Sequence, residues 1–214
     1  MPEQRYAPGE RGKSTMIFCP QCGRHLVTYS IEGRKRPFCP PERNGCGFID
    51  FGTYSLGVGG IVMSTDPAGQ RIILLIQRNQ EPNRGSWTLP GGFVECNEAA
   101  EAAVVREVGE ETGLHCAIVG LVAFRNRPDP DVNTSYCVFL LQMTGGELIQ
   151  GPTDEILERG FYTLPHVQAM EQLTPLSREL ALAALTDQLC TLRAVTVPGL
   201  QGQPPYKLFI GHNE

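Results

Sequence analysis

Residues 91–114 read GGFVECNEAAEAAVVREVGEETGL. The stretch holds six carboxylates, a single cation, Arg106, and a scatter of alanines. Asn97 is a candidate helix cap and Gly113 a candidate stop, which predicts a helix between them. With Glu107 at the origin of a helical wheel, Glu110 falls at about 300° and Glu111 at about 40°. The three acids then share one face, with Ala100 and Ala103 earlier on the same side. Like charges so placed repel and cost helix stability. A solvated face would interleave Lys or Arg. A divalent cation would remove the repulsion, and hard oxygen ligands favour Mg2+ or Mn2+. The small alanines would leave room for a substrate.

Strand patterns flank this segment. Tyr54–Ser64 is rich in Val, Ile and Gly, and Arg71–Arg78 is a second apolar run after the turn Asp66-Pro67-Ala68-Gly69. Trp87–Leu89, Leu114–Phe124, Ser135–Met143 and Gly160–Leu164 read as further strands. Pro165 opens one helix. Thr174-Pro175 opens another that runs to about Cys190 and buries a Leu/Ala stripe. The tail from Val195 is rich in Pro and Gly, with an apolar patch at Tyr206–Ile210.

Eight cysteines are present, four of them within the first 50 residues. Cys19-Pro20-Gln21-Cys22-Gly23 is a tight turn that aims two thiolates at one point, and Cys39 and Cys46 supply a second pair. Four thiolates make a closed tetrahedral site for structural Zn2+. The module resembles a zinc ribbon, although six residues, Pro40 to Gly45, stand where such ribbons have two to four. His25 is a spare ligand candidate. Cys116 and Cys137 fall in apparent strands and read as small core residues.

Residues 1–50 carry eight Lys/Arg against five Asp/Glu, and the remainder ten against eighteen, so +3 and −8 sum to the net −5. An acidic body disfavours broad nucleic-acid binding and suits the gathering of divalent metal. No apolar run approaches the roughly 20 residues of a bilayer span. The N-terminus lacks a basic-then-apolar export pattern, so a cytoplasmic protein is expected. The organisation reads as a flexible tail over 1–15, a zinc ribbon over 16–50, a main domain over 51–190 and an extension over 191–214.

The segment fits G-x5-E-x7-R-E-U-x-E-E-x-G-U, where U is aliphatic. Gly92, Glu98, Arg106, Glu107, Val108, Glu110, Glu111, Gly113 and Leu114 fill every defined position. In this it resembles the Nudix hydrolases. A ribbon ahead of such a domain is similar to the subgroup holding NADH, ADP-ribose and FAD pyrophosphatases. The resemblance implies an α/β/α sandwich with a mixed sheet, of the α/β (α+β) class. It implies that Glu107, Glu110 and Glu111, with the carbonyl of Gly91, bind Mg2+ or Mn2+. It implies that Arg106 and Glu98 pair to hold the loop and helix in shape. The reaction implied is hydrolysis of a nucleoside diphosphate linked to a second group.

A carboxylate is needed as general base. Glu155, in an acidic turn ahead of the last strand, is favoured over Glu110 and Glu111. Arg78 and Arg125 are candidates to meet the phosphates, and Phe124, Tyr136 or Phe161 to stack on a base. The Ser-Gln-Pro-Trp-Pro-Phe segment of NADH pyrophosphatases is absent after the box. ADP-ribose, FAD or a related dinucleotide therefore ranks ahead of NADH. Cleansing of nucleoside triphosphates and a non-catalytic nucleotide sensor are the alternatives. Dimers are frequent among the relatives.

Overall fold

The computed structural model describes residues 16–128, 132–198 and 205–211; the expected 1–15 tail lies outside them. The chain divides into two compact units, and residues 126–128 and 132–134 group with the N-terminal one. Among the described residues, no helix is long and apolar enough to cross a membrane.

In the N-terminal unit, β1 (Val27–Ile31) and β2 (Arg34–Phe38) form an antiparallel hairpin. Glu32 and Gly33 turn it with φ of 51° and 76°, the left-handed pair that suits the twist of a two-residue turn. One short turn follows, a 3-10 helix over Pro41–Arg43. A small cluster of Cys19, Leu26 and Cys39, with Phe48 against it, is the core of this unit among the described residues.

The larger unit is built on a six-stranded sheet. Its strands are β3 (Tyr54–Thr65), β4 (Arg71–Arg78), β5 (Trp87–Thr88), β6 (Leu114–Arg127), β7 (Asn133–Gly146) and β8 (Ile156–Thr163). The order is β5-β4-β3-β7-β6, with β8 also on β4. Antiparallel β8 lies along β4 from Ile72 to Arg78, while the ends of β4 pair with β3 and β5. Alternate side chains of each strand go to opposite faces. Ile61, Ile73, Leu75 and Val138 meet Val167 of α2 (Leu164–Ala169) and Leu180, Ala181, Ala184 and Leu185 of α3 (Pro175–Leu185). Val58, Val62, Leu74, Phe139 and Leu141 meet Ala103, Val104 and Val108 of α1 (Ala100–Thr112). The result is the expected α/β/α sandwich. Full burial of such side chains is worth about 1.5–3 kcal/mol each.

Several local expectations are corrected. Asn97 does not cap α1: it sits at φ 67° in the preceding turn, Ala99 is the N-cap, and no side chain bonds there. Ala103 is fully buried against the sheet and leaves no space for a substrate. β8 begins at Ile156, four residues before the expected start, because pairing with β4 extends it. α3 stops at Leu185; Asp187 adopts φ 61° and pairs with Arg71 at 2.8 Å. Beyond it a hairpin of β9 (Arg193–Val197) and β10 (Tyr206–Ile210) forms where only an apolar patch was expected. Phe209 anchors it, edge-on to Phe139 at 5.6 Å.

Candidate functional site

The acidic site begins with the backbone of β3. Val58 N–H donates to Gly92 O at 2.8 Å, Gly60 N–H to Pro90 O at 2.8 Å, and Val94 N–H to Leu56 O at 2.9 Å. These bonds lay residues 90–94 along the strand and fix the glycine pair. Gly91 has φ 150°, and a Cβ there would strike Val58 O and come within 2.8 Å of the Gly59 Cα. At Gly92 a Cβ would lie 2.5 Å from the Glu107 carboxyl carbon. Gly91 therefore excludes a side chain against the backbone of β3, while at Gly92 the Glu107 carboxylate takes the space that a side chain would need.

Helix α1 brings the acids in from the other side. Its apolar stripe docks on the sheet, and Gly113, at φ 80°, closes its C-terminus by donating to Gly109 O. Glu111 lies close to that buried stripe and is itself 8% exposed. Its Oε2 accepts from Gly91 N–H at 2.7 Å. Burial pushes the Glu111 carboxyl up to about 8; the Gly91 N–H works against this, and the charges of Glu107 and Glu155 add to it. Glu107 is 16% exposed and Glu110 60%, so the three acids run from buried to solvated.

Arg106 ties two of these acids, Glu107 and Glu110, to Glu98 in the preceding loop. Its Nε and Nη2 donate to the two oxygens of Glu98, each at 2.9 Å. Its Nη1 donates to Glu107 Oε1 at 2.8 Å and Glu110 Oε2 at 3.0 Å, and Nη2 also reaches Phe93 O at 3.3 Å. Arg106 holds Glu98 below the usual carboxylate range. Those carboxylates, Glu98 foremost, raise the guanidinium further, so it stays charged.

Arg78 and Glu155 stand together at the neighbouring strand ends. Asn79 N–H donates to Glu155 O at 2.7 Å, and Arg78 faces Ile156 across a register shift. Both act electrostatically on Glu111, Glu155 raising its pKa and Arg78 lowering it. Arg78 Nε is buried with no partner among the described residues. The structure thus joins Glu98, Glu107 and Glu110 through Arg106, holds Glu111 separately on the Gly91 N–H, and sets Glu155 and Arg78 near Glu111. Arg125 sits over the ring of Tyr136, 5.4 Å from its centroid. Phe124 is 63% exposed and Phe161 packs against the α1 core. The Gly91 N–H anchor of Glu111 was not legible in sequence, because backbone donors leave no residue-type signal.

In the N-terminal unit the four cysteines converge. Cys19 Sγ lies 3.4 Å from Cys46 Sγ, Cys22 Sγ 3.5 Å from Cys39 Sγ, and all four sulfurs fall within 4.8 Å of one another. A tetrahedron of Zn–S bonds has S···S edges of about 3.8 Å, so the donor set fits that ion. Gly23 N–H to Cys19 O at 2.8 Å closes the first turn, and Gly47 N–H to Cys39 O at 2.9 Å the second. The 3-10 helix takes up the six-residue spacer. The backbone at Arg24 pulls the Cys22 thiol down to about 7. His25 is outside the cluster, edge-on to Phe18 at 4.9 Å.

The family profile described as NUDIX domain matches residues 53–183. An ADP-ribose pyrophosphatase of Methanocaldococcus jannaschii is 46% identical over 94 residues, 43% of this chain and 54% of that protein. The NAD-capped RNA hydrolase NudC of Deinococcus radiodurans is 30% identical over 177 residues, 82% of this chain and 58% of that protein. The chain therefore spans little more than half the length of these curated relatives. A crystal structure of a NUDIX hydrolase from Nitrosomonas europaea aligns with a TM-score of 0.65 at 24% identity, covering 92% of this chain and 97% of that one. The profile covers more than half of the chain and takes in the glycine loop, the Arg106 clamp and the acids of α1, so the chain belongs to the Nudix family.

Proposed function

We propose that this protein hydrolyses the diphosphate bond of nucleoside diphosphates linked to a second group. ADP-ribose, FAD and related dinucleotides come first and NADH after them. The observation that carries this reading is the convergence of Glu107 and Glu111 on the Gly91-Gly92 loop, with Arg106 holding the set and Arg78 and Glu155 beside it. The name of the Methanocaldococcus jannaschii relative supports the substrate class.

Glu107, Glu110, Glu111 and the Gly91 carbonyl would hold Mg2+ or Mn2+. Hard carboxylate oxygens suit these ions, and a buried carboxyl raised to about 8 marks a place short of positive charge. When bound, the ions would offset phosphate charge and make water a better nucleophile. The protein's own part is positioning and electrostatics. Arg106 and Glu98 fix the helix against the loop. Arg78 and Arg125 would meet the diphosphate oxygens. Glu155 would take the proton of the attacking water, with Glu110 and Glu111 as rivals for that role.

Cys19, Cys22, Cys39 and Cys46 would hold a structural Zn2+, since four thiolates leave no open position for chemistry. The division into a ribbon over 16–50, a catalytic domain over 51–190 and an extension over 191–214 belongs to the same reading. So do a cytoplasmic location, suited to eight cysteines outside any disulfide, and a homodimer. The deciding experiment incubates the purified chain and Mg2+ with ADP-ribose, FAD, NADH and nucleoside triphosphates. Release of AMP from ADP-ribose or a dinucleotide is expected. Pyrophosphate from the triphosphates alone would replace this reading with nucleotide cleansing, and no turnover at all would remove it.

A further inference from the structure

Two glycines of β3, Gly57 and Gly59, lie under the ring of Tyr136. A Cβ on Gly57 would come 2.7 Å from the ring carbon Cδ2, and one on Gly59 would come 2.6 Å from the hydroxyl oxygen. The ring fills a slot that only this glycine spacing leaves open, since residues two apart share one face of a strand. The glycine backbone takes one face of the ring, and the Arg125 guanidinium lies over it.

The hydroxyl is a different matter. It lies beside Gly59, whose Cα approaches Gly91, whose N–H in turn holds Glu111. The phenol is close enough to Glu111, Glu107, Arg78 and Arg125 for all four charges to act on it. The Tyr136 hydroxyl has no hydrogen-bond partner among the described residues. Its oxygen is not among the polar atoms sealed from solvent without a partner, so it is open to solvent. A neutral phenol carries its own proton to donate, and burial favours that neutral form.

We infer that Tyr136 is a substrate-binding residue whose hydroxyl donates a hydrogen bond to a non-bridging diphosphate oxygen of the substrate. Gly57 and Gly59 set its height and Arg125 caps its ring. This rests on the diphosphate-hydrolase reading above. A neutral donor between two arginines and two carboxylates adds directional recognition of a phosphate oxygen without adding charge.

Y136F tests the inference, because it keeps the ring in its slot and under Arg125 and removes only the oxygen. Steady-state kinetics with ADP-ribose and Mg2+ and titration calorimetry with ADP and Mg2+ are run on wild type and Y136F, with thermal midpoints measured for both. A rise of about 10-fold in KM is expected, the size of one hydrogen bond lost to a charged acceptor. The ADP affinity should weaken alike, with kcat within about twofold and an unchanged midpoint. Unaltered KM and ADP affinity in Y136F overturn the inference while wild-type turnover keeps the proposed function. A fall in kcat at constant KM also overturns it, since that places the hydroxyl in the chemical step. A wild type inert toward ADP-ribose, FAD and NADH removes both together.

Discussion

The guanidinium of Arg106 grips the carboxylate of Glu98 through two parallel bonds of 2.9 Å, Nε to Oε1 and Nη2 to Oε2. This fork ties the middle of α1 to the loop that precedes it. Glu98 Oε2 also accepts from Glu95 N–H at 3.2 Å, so the loop's own turn is part of the joint. A lysine cannot reproduce the planar fork. Arg106→Lys should therefore lower kcat about 10- to 100-fold through misplacement of Glu107 and Glu110. A crystal structure of the variant should show the two acids displaced; kinetics equal to wild type would deny the clamp its role.

Glu111 offers a pH test. Its folded value of about 8 stands above the unfolded 4.5, so between these values the folded state binds the extra proton. Its contribution to stability is full below the unfolded value and is lost as pH rises through 8, an effect on the order of a few kcal/mol. With metal chelated, thermal midpoints of the wild type should decline from pH 5 to 9. Glu111→Gln, which cannot ionise, should decline less. The same substitution should cut turnover by about 100-fold or more. Parallel pH curves for the two proteins would refute the assignment.

Gly92→Ala addresses the loop. The added Cβ would sit 2.5 Å from the Glu107 carboxyl carbon, and the side chain of Glu107 would have to leave. Turnover should drop by about 100-fold while the far-ultraviolet circular dichroism stays that of the wild type. Full activity would mean that the place of Glu107 over Gly92 is irrelevant to chemistry.

Cys19→Ser probes the cluster in the N-terminal unit. Metal analysis of the wild type should give about one zinc per chain, and the variant close to none. Diphosphate hydrolysis should persist, because the acidic site uses none of these sulfurs. Wild-type protein without zinc would refute the metal assignment. A folded variant devoid of turnover would draw the ribbon into catalysis.

Legibility in the sequence followed the range of the forces involved. Helix α1 and its acids were readable because charge repeating on one helical face is a local pattern. The strands Tyr54–Thr65 and Arg71–Arg78 were readable for the same reason. The β9–β10 hairpin was not, since it depends on Phe209 reaching Phe139 across 70 residues of sequence, and nothing near Tyr206 signals that. Asn97 misled: a residue favoured as a cap is equally favoured in the left-handed region, and the turn used the second property. Ala103 misled too, because a small residue on an acidic face looks like open space until the sheet is seen to fill it. The aromatic ring of Tyr136 was visible as a base platform, while its partners Gly57 and Gly59 lie on another strand.

The helical turn at Pro41–Arg43 bears on how such proteins are recognised. Pattern searches that demand a fixed short gap between paired thiols would pass over this chain. Yet the turn returns Cys46 to within 3.4 Å of Cys19. What convergence requires is that the polypeptide double back, and a compact coil does so at six intervening residues as well as at two. Counting gaps is then a poor filter, and the geometry of the returning backbone a better one.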